Sequence, residues 1–190
     1  MVKFEPKITV AIKLFASVFF FAGFTQPDAV FQTTTGKVSF RSEAPMELIN
    51  ASSSDLIGNI DNEKRIFGFG INIRSFTGFN SSLQKQHFHE NYMESDKYPN
   101  AKFSGKIIED QDLTIDGVYE VRAKGKFNIH GVTQERIIKC KLTVSNHKIV
   151  LTSNFTLLLS DYNIPIPRVV YQKLANEIKV EVNATLVETS

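Results

Sequence analysis

Along most of the chain apolar residues recur at every second position, the spacing of a β-strand with one dry and one wet face. The longest run is Tyr119 to His130. There Tyr119, Val121, Ala123, Gly125, Phe127 and Ile129 point one way, and Glu120, Arg122, Lys124, Lys126, Asn128 and His130 point the other. The same alternation marks Phe67, Phe69, Ile71 and Ile73; Ile138, Cys140, Leu142 and Val144; Ile149, Leu151, Ser153, Phe155, Leu157 and Leu159; and Ile178, Val180, Val182, Ala184 and Leu186. Phe31 to Thr35, Lys37 to Ser42, Glu47 to Ser52, Leu56 to Ile60 and Ala101 to Ile107 carry it more weakly. Turn residues separate these runs at Asp61-Asn62, Asp116-Gly117, Gly131 and Asn146-His147. One segment departs from the pattern: Ser81 to Glu94 opens on Ser residues suited to an N-cap and spaces Leu83, His87, Phe88 and Tyr92 as one helical face requires. The expected fold is all-β, an antiparallel barrel of about eight strands with one short helix inserted around 81–94. Long strands with few Pro interruptions favour closure over a sandwich, because a closed barrel leaves no edge unpaired.

The first residues are a different object. Lys3, Lys7 and Lys13 against the single Glu5 precede an apolar run from Leu14 to Phe24. A basic start and a short apolar stretch read as a cleavable secretory signal, residues 1–25, followed by one domain over 26–190. The run is too short for a spanning helix, which needs about 20 apolar residues; an uncleaved anchor is the alternative. The leader accounts for the whole formal charge of +2, so the rest of the chain is formally neutral. The lone Cys140 has no partner for an intramolecular disulfide and reads as a small buried apolar residue.

Composition and spacing then narrow the function classes. A chain that is 42% hydrophobic and 22% charged has ordinary globular proportions, which exclude a disordered tail and a polytopic membrane protein. A neutral domain has no basic footprint for nucleic acid. His87 and His89 are two apart, about 200° around a helix, and cannot chelate one ion there; no Cys or carboxylate spacing completes a ligand set, so no metal and no cofactor is expected. No Gly-x-Ser-x-Gly, His-Glu-x-x-His, Walker loop or Gly-x-Gly-x-x-Gly is present, so the chain is read as a non-enzyme. Aromatic girdles at strand ends are missing and Ser81 to Glu94 would interrupt a spanning meander, which argues against an outer-membrane barrel.

The stretch from His87 to Phe103, with its helix, aromatic-rich turn, Tyr98-Pro99 and following strand, resembles the YceI family of bacterial periplasmic lipid-binding proteins. Two further pieces occur in the same order: Gly125 to Thr133, similar to that family's strand ending in His-Gly-Val-Thr, and Ser160-Asp161-Tyr162-Asn163-Ile164, similar to its Ser-Asp-Tyr-Gly-Ile. Asn163 stands where the family usually has Gly, and both tolerate a left-handed backbone. Tyr98-Pro99 and His130-Gly131 read as turn chemistry. The resemblance covers about Phe31 to Leu186. It implies a lipocalin-like barrel with an elongated apolar interior, a periplasmic or secreted location, and an isoprenoid, isoprenoid quinone or other long-chain lipid as partner. It also admits a transient membrane contact for lipid exchange and a homodimer.

On that reading the pocket lining comprises Phe67, Phe69, Ile71, Tyr119, Val121, Ala123, Phe127, Ile129, Cys140, Leu142, Phe155 and Leu157. Ala123, Gly125, Cys140 and Ser153 lack bulk beside the Phe residues, which leaves room for a ligand unless neighbouring aromatics fill the gaps. Ala123→Phe or Gly125→Phe is expected to block uptake if the interior is a pocket and only to destabilise the fold if it is solid. The alternatives are a structural or partner-binding barrel with a filled core, and an enzyme whose polar residues are dispersed in sequence.

Overall fold

The computed structural model describes residues 29–189; the expected leader, residues 1–25, lies outside them. Eight antiparallel strands follow one another around a closed barrel: β1 (Val30–Glu43), β2 (Leu48–Asp61), β3 (Ile66–Asn72), β4 (Asn100–Ile107), β5 (Gly117–Ile129), β6 (Val132–Ser145), β7 (Lys148–Leu158) and β8 (Glu177–Thr189). β8 pairs back onto β1 and closes the ring, so the expected eight-stranded architecture is the observed one.

Two pairs of weak strand signals prove to be single bent strands. Gln32 faces Val187 and Lys37 faces Asn183, so β1 carries one residue more than β8 in between. β2 carries its own extra residue, because Val38 faces Ser53 while Gly36 faces Leu56. Each bulge switches which face a given parity occupies. Phe31 and Thr33 point inward at odd positions, and Val38, Phe40 and Ser42 follow at even ones. A single period cannot describe such a strand, which is why its two halves read separately.

The helical expectation also changes form. α1 (Ser82–His87) is capped by the Ser81 hydroxyl, which accepts from Gln84 N at 3.1 Å, and then widens into a π turn over Phe88–Tyr92. The wider turn lets Phe88 stack on Phe40 at 5.4 Å and meet Phe79 at 5.0 Å, so aromatic packing overrides a regular helix through Glu94.

The two ends of the barrel differ. At one end the β2–β3, β4–β5 and β6–β7 connections close over Phe31, Leu113, Ile149 and Leu186, none more than 1% exposed. Asn62 fastens this end: its amide donates to Asp112 at 3.1 Å and its carbonyl oxygen accepts from Leu113 N at 2.8 Å. Toward the other end the wall opens out. β3 stops at Asn72, and Thr77 of the following loop takes its place beside β2 through paired bonds with Ser52 of 2.8 and 2.9 Å. β6 and β7 form ladder pairs only from Lys141 to Ser145; beyond that they part, bridged by Ser153 Oγ to Lys139 O at 2.7 Å and Arg136 Nη2 to Thr156 O at 2.7 Å.

The three sequence pieces that carry the family resemblance meet at this open end. His130 and Gly131 make the two-residue β5–β6 turn with φ of 50° and 74°. The buried His130 ring bonds Glu94 Oε2 at 2.7 Å and Tyr162 O at 3.1 Å, and packs edge-on to Tyr98 at 4.7 Å. A Cβ on Gly131 would lie 2.5 Å from the Tyr98 ring, so glycine is needed for space as well as for its positive φ. Asn163 has φ 54°, the left-handed conformation expected where the family carries Gly. His130 thus pins the α1 segment and the Leu159–Tyr162 turn to the barrel rim.

Candidate functional site

Between the dry end and the open end lies a cavity of about 490 Å³, within the roughly 300–1,000 Å³ range of small-molecule sites. Its wall is the inward face of every strand. It reaches as deep as Ile60, Ile107 and Leu142 and stops at the packed layer of Phe31, Leu113, Ile149 and Leu186. The void exists because inward positions on neighbouring strands are small where the barrel widens: Ala123 on β5, Cys140 on β6 and Ser153 on β7 line it together.

Eleven of the twelve residues named from the sequence line this cavity: Phe67, Phe69, Ile71, Val121, Ala123, Phe127, Ile129, Cys140, Leu142, Phe155 and Leu157. Tyr119 does not. It sits near the beginning of β5 at the dry end, where its hydroxyl donates to Ile115 O at 2.9 Å and its ring covers Gly117. Its parity is right, but its height along the barrel is wrong. The other residue named for its small size, Gly125, has a role the alternation does not convey. It faces Gly105 across the β4–β5 ladder, and a Cβ there would lie 2.1 Å from Ser104 O. The glycine pair allows two backbones to approach, so Gly125→Phe would break strand pairing whether or not the interior is empty, and it no longer distinguishes a pocket from a core.

Sequence reasoning missed a second part of the wall. Val38 and Phe40 come from β1 beyond its bulge, Phe76 and Phe79 from the loop after β3, and Ile178, Val180 and Val182 from β8. The β8 residues were legible as one dry face and simply not carried to the site. Phe40, Phe76, Phe79 and Phe88 form an aromatic cluster with centroid separations of 5.0–6.2 Å beneath α1. A second set, Phe67, Phe103, Phe127 and Phe155, runs across β3, β4, β5 and β7 with neighbours 4.8–6.0 Å apart. Rings at these separations combine large apolar area with favourable edge and offset contacts.

The deep polar groups are few and mostly engaged. Ser153 donates to Lys139 O and the Cys140 thiol lies 3.8 Å from Ile138 O; burial pushes that thiol's pKa up, so it stays protonated. The Tyr162 hydroxyl is sealed within the wall with no hydrogen-bond partner among the described residues, and burial raises its pKa too. Polar side chains gather instead where the cavity meets solvent, between the β1–β2 turn, α1 and the segment 168–174. Glu47, Ser81, Gln84, His87 and Lys173 stand there. Among the described residues no group of three or more metal-ligating side chains converges, and no helix is long and apolar enough to cross a membrane. The cavity is thus lined almost wholly by apolar side chains, with its charged and amide groups at the mouth.

Solved structures share this architecture at low sequence identity. A polyisoprenoid binding domain from Saccharophagus degradans, implicated in plant cell wall breakdown, superposes with a TM-score of 0.71 at 13% identity, covering 85% of this chain and 99% of that one. Burkholderia cenocepacia BcnA gives 0.64 at 14% identity, covering 79% and 95%. A Campylobacter jejuni YceI protein gives 0.56 at 15%, covering 74% and 84%. At such identities the likeness establishes the fold alone. No curated protein matches the sequence. The YceI-like domain pattern, however, matches residues 9–186, nearly the whole chain and including part of the expected leader, and on that match the protein belongs to the YceI-like family.

Proposed function

We propose that this protein is an exported carrier that sequesters one long-chain amphiphile, an isoprenoid, isoprenoid quinone or similar lipid, inside its barrel without altering it chemically. The observation that carries the reading is the apolar cavity of about 490 Å³, closed at one end and opening at the other beside polar side chains. The family membership and the polyisoprenoid-binding relative support the same class of ligand. A filled barrel would have no such void.

Magnitudes favour a chain. Each buried methylene contributes about 0.8 kcal/mol, so one five-carbon isoprene unit offers roughly 4 kcal/mol before entropy and ordering costs. A handful of units approaches the affinity limit near 20 kcal/mol, so the ligand need not be wholly enclosed and selection for chain length is loose. The apolar tail lies against Phe67, Phe103, Phe127 and Phe155, and the head group stays at the mouth near Gln84, His87 and Lys173. Export to the periplasm or outside the cell follows from the basic and apolar leader. Organic extraction and mass spectrometry of protein purified from its native compartment test the reading. One lipid per chain is expected; a chain that is empty and also binds no apolar fluorescent probe overturns it.

A further inference from the structure

Beside the polar groups at the mouth of the cavity, three segments carry apolar side chains that the fold leaves in water. Met46 lies in the β1–β2 turn, Leu48 begins β2, Leu83 is on α1, and Val169 and Tyr171 lie in the segment 168–174; all are exposed, Val169 to 89%. Hydrogen bonds tie these segments into one rim. Met46 N donates to Gln172 O at 2.8 Å, Asn80 Nδ2 to Leu48 O at 2.8 Å, and Gln84 Nε2 to Glu47 Oε1 at 2.7 Å. Leu83 and Val170 belong to both rim and cavity wall, as does the cationic Lys173, so the exposed apolar groups adjoin the cavity itself. Other exposed apolar residues, Ile115 and Val118 at the dry end among them, do not adjoin the cavity and are ordinary on a protein surface. Five such residues on hydrogen-bonded segments beside the mouth of an apolar cavity form a patch.

Charge and side-chain type name the partner. The run Arg168-Val169-Val170-Tyr171-Gln172-Lys173 interleaves cations with apolar and aromatic groups. Arg168 and Lys173 are exposed and enter no ion pair among the described residues. Long cationic stems and a tyrosine ring with a polar tip suit the boundary between acyl chains and head groups. The ligand gives the same answer, since each methylene carried through water lowers the crossing population about fourfold.

We propose that this rim is a membrane-docking face that sets the mouth against an anionic bilayer, so that the lipid passes between membrane and barrel without crossing water. The inference rests on the carrier reading and adds the surface through which the carrier loads.

Vesicle flotation of the protein tests it, using phosphatidylcholine alone or mixed with phosphatidylglycerol. The wild type is expected to float with the anionic vesicles. Val169→Asp combined with Tyr171→Asp should cut the bound fraction about tenfold or more. Arg168→Gln should cut it about fivefold at low salt and less at high salt. Val118→Asp, on β5 at the dry end, should change nothing. The rim variants should also slow uptake of a pyrene-labelled prenyl probe from vesicles, while equilibrium binding of the same probe added from ethanol is unchanged. A wild type that binds the probe but does not float overturns docking and leaves the carrier reading standing. Flotation without probe binding overturns the carrier reading instead. A wild-type dimer that rim substitutions split into monomers also overturns docking, because a second copy then covers the rim.

Discussion

Ala123 lines the cavity from β5, between Ile107 of β4 and Ile138 of β6 in register, and is itself buried. Phe in its place adds roughly six carbons' worth of apolar bulk and excludes about as much ligand chain. At about 0.8 kcal/mol per methylene this forfeits up to about 5 kcal/mol of ligand burial. The chain can recover part of that by backing out through the mouth, so a loss of about 3 kcal/mol, or about a hundredfold in affinity, is the expected outcome. Stability should move the opposite way. In a packed core the added ring forces strain of about 1–3 kcal/mol. In an empty cavity it gains buried surface and leaves the delipidated protein at least as stable. A shift of 1 kcal/mol is about 2–4 °C in Tm for a domain of this size, so the two cases separate in a thermal melt. Titration with an apolar fluorescent probe and melting of the delipidated protein are the paired assays. A Tm several degrees lower with probe affinity unchanged would refute the argument that Ala123 borders a ligand site.

Three further outcomes are expected. His130→Ala removes the bonds to Glu94 and to the Tyr162 carbonyl, leaving a buried acceptor unpaired, and should cost about 1–3 kcal/mol in denaturant melts, with Glu94→Gln non-additive in a double-mutant cycle. At the dry end, Asp112 is held below the usual carboxylate range by the Thr114 hydroxyl and amide, and Glu109 by the Arg122 backbone amide and guanidinium. The unfolded chain takes up these protons near pH 4, before the folded protein does, so their stabilisation is complete above that pH and is lost as pH falls through the lowered folded values. Asp112→Asn should flatten this part of the acid limb of a Tm-against-pH curve. The Cys140 thiol, raised by burial, should react with a small apolar alkylating reagent slowly at neutral pH and faster as pH rises above the ordinary thiol range, and loading with lipid should suppress the reaction at every pH; labelling that ignores the ligand would count against a shared cavity.

The legibility of the sequence follows how strictly each segment keeps one period. β5 holds its alternation for thirteen residues because it pairs without irregularity along β6, and its dry face was readable outright. β1 and β2 lose parity at their bulges, and with it the signal that Val38 and Phe40 face the cavity. Phe76 and Phe79 lie in a loop, where no periodicity reports which way a ring turns. Tyr119 shows the limit of alternation in another direction: it tells inside from outside but not top from bottom. Gly125 shows a third, since a missing side chain can mean space for a ligand or space for the neighbouring backbone, and only the facing residue, Gly105, decides between them.

The sealed layer of Phe31, Leu113, Ile149 and Leu186 also sets a rule for cargo. A tunnel open at both ends would accept molecules with polar groups at either terminus, but a blind tube admits a chain tail first and must release it head first. Any second polar group would be driven onto a floor that offers it no hydrogen bond, at a cost of several kcal/mol. A carrier of the proposed kind would therefore select by asymmetry rather than by length: one oily end, one watery end, and entry and exit by a single door.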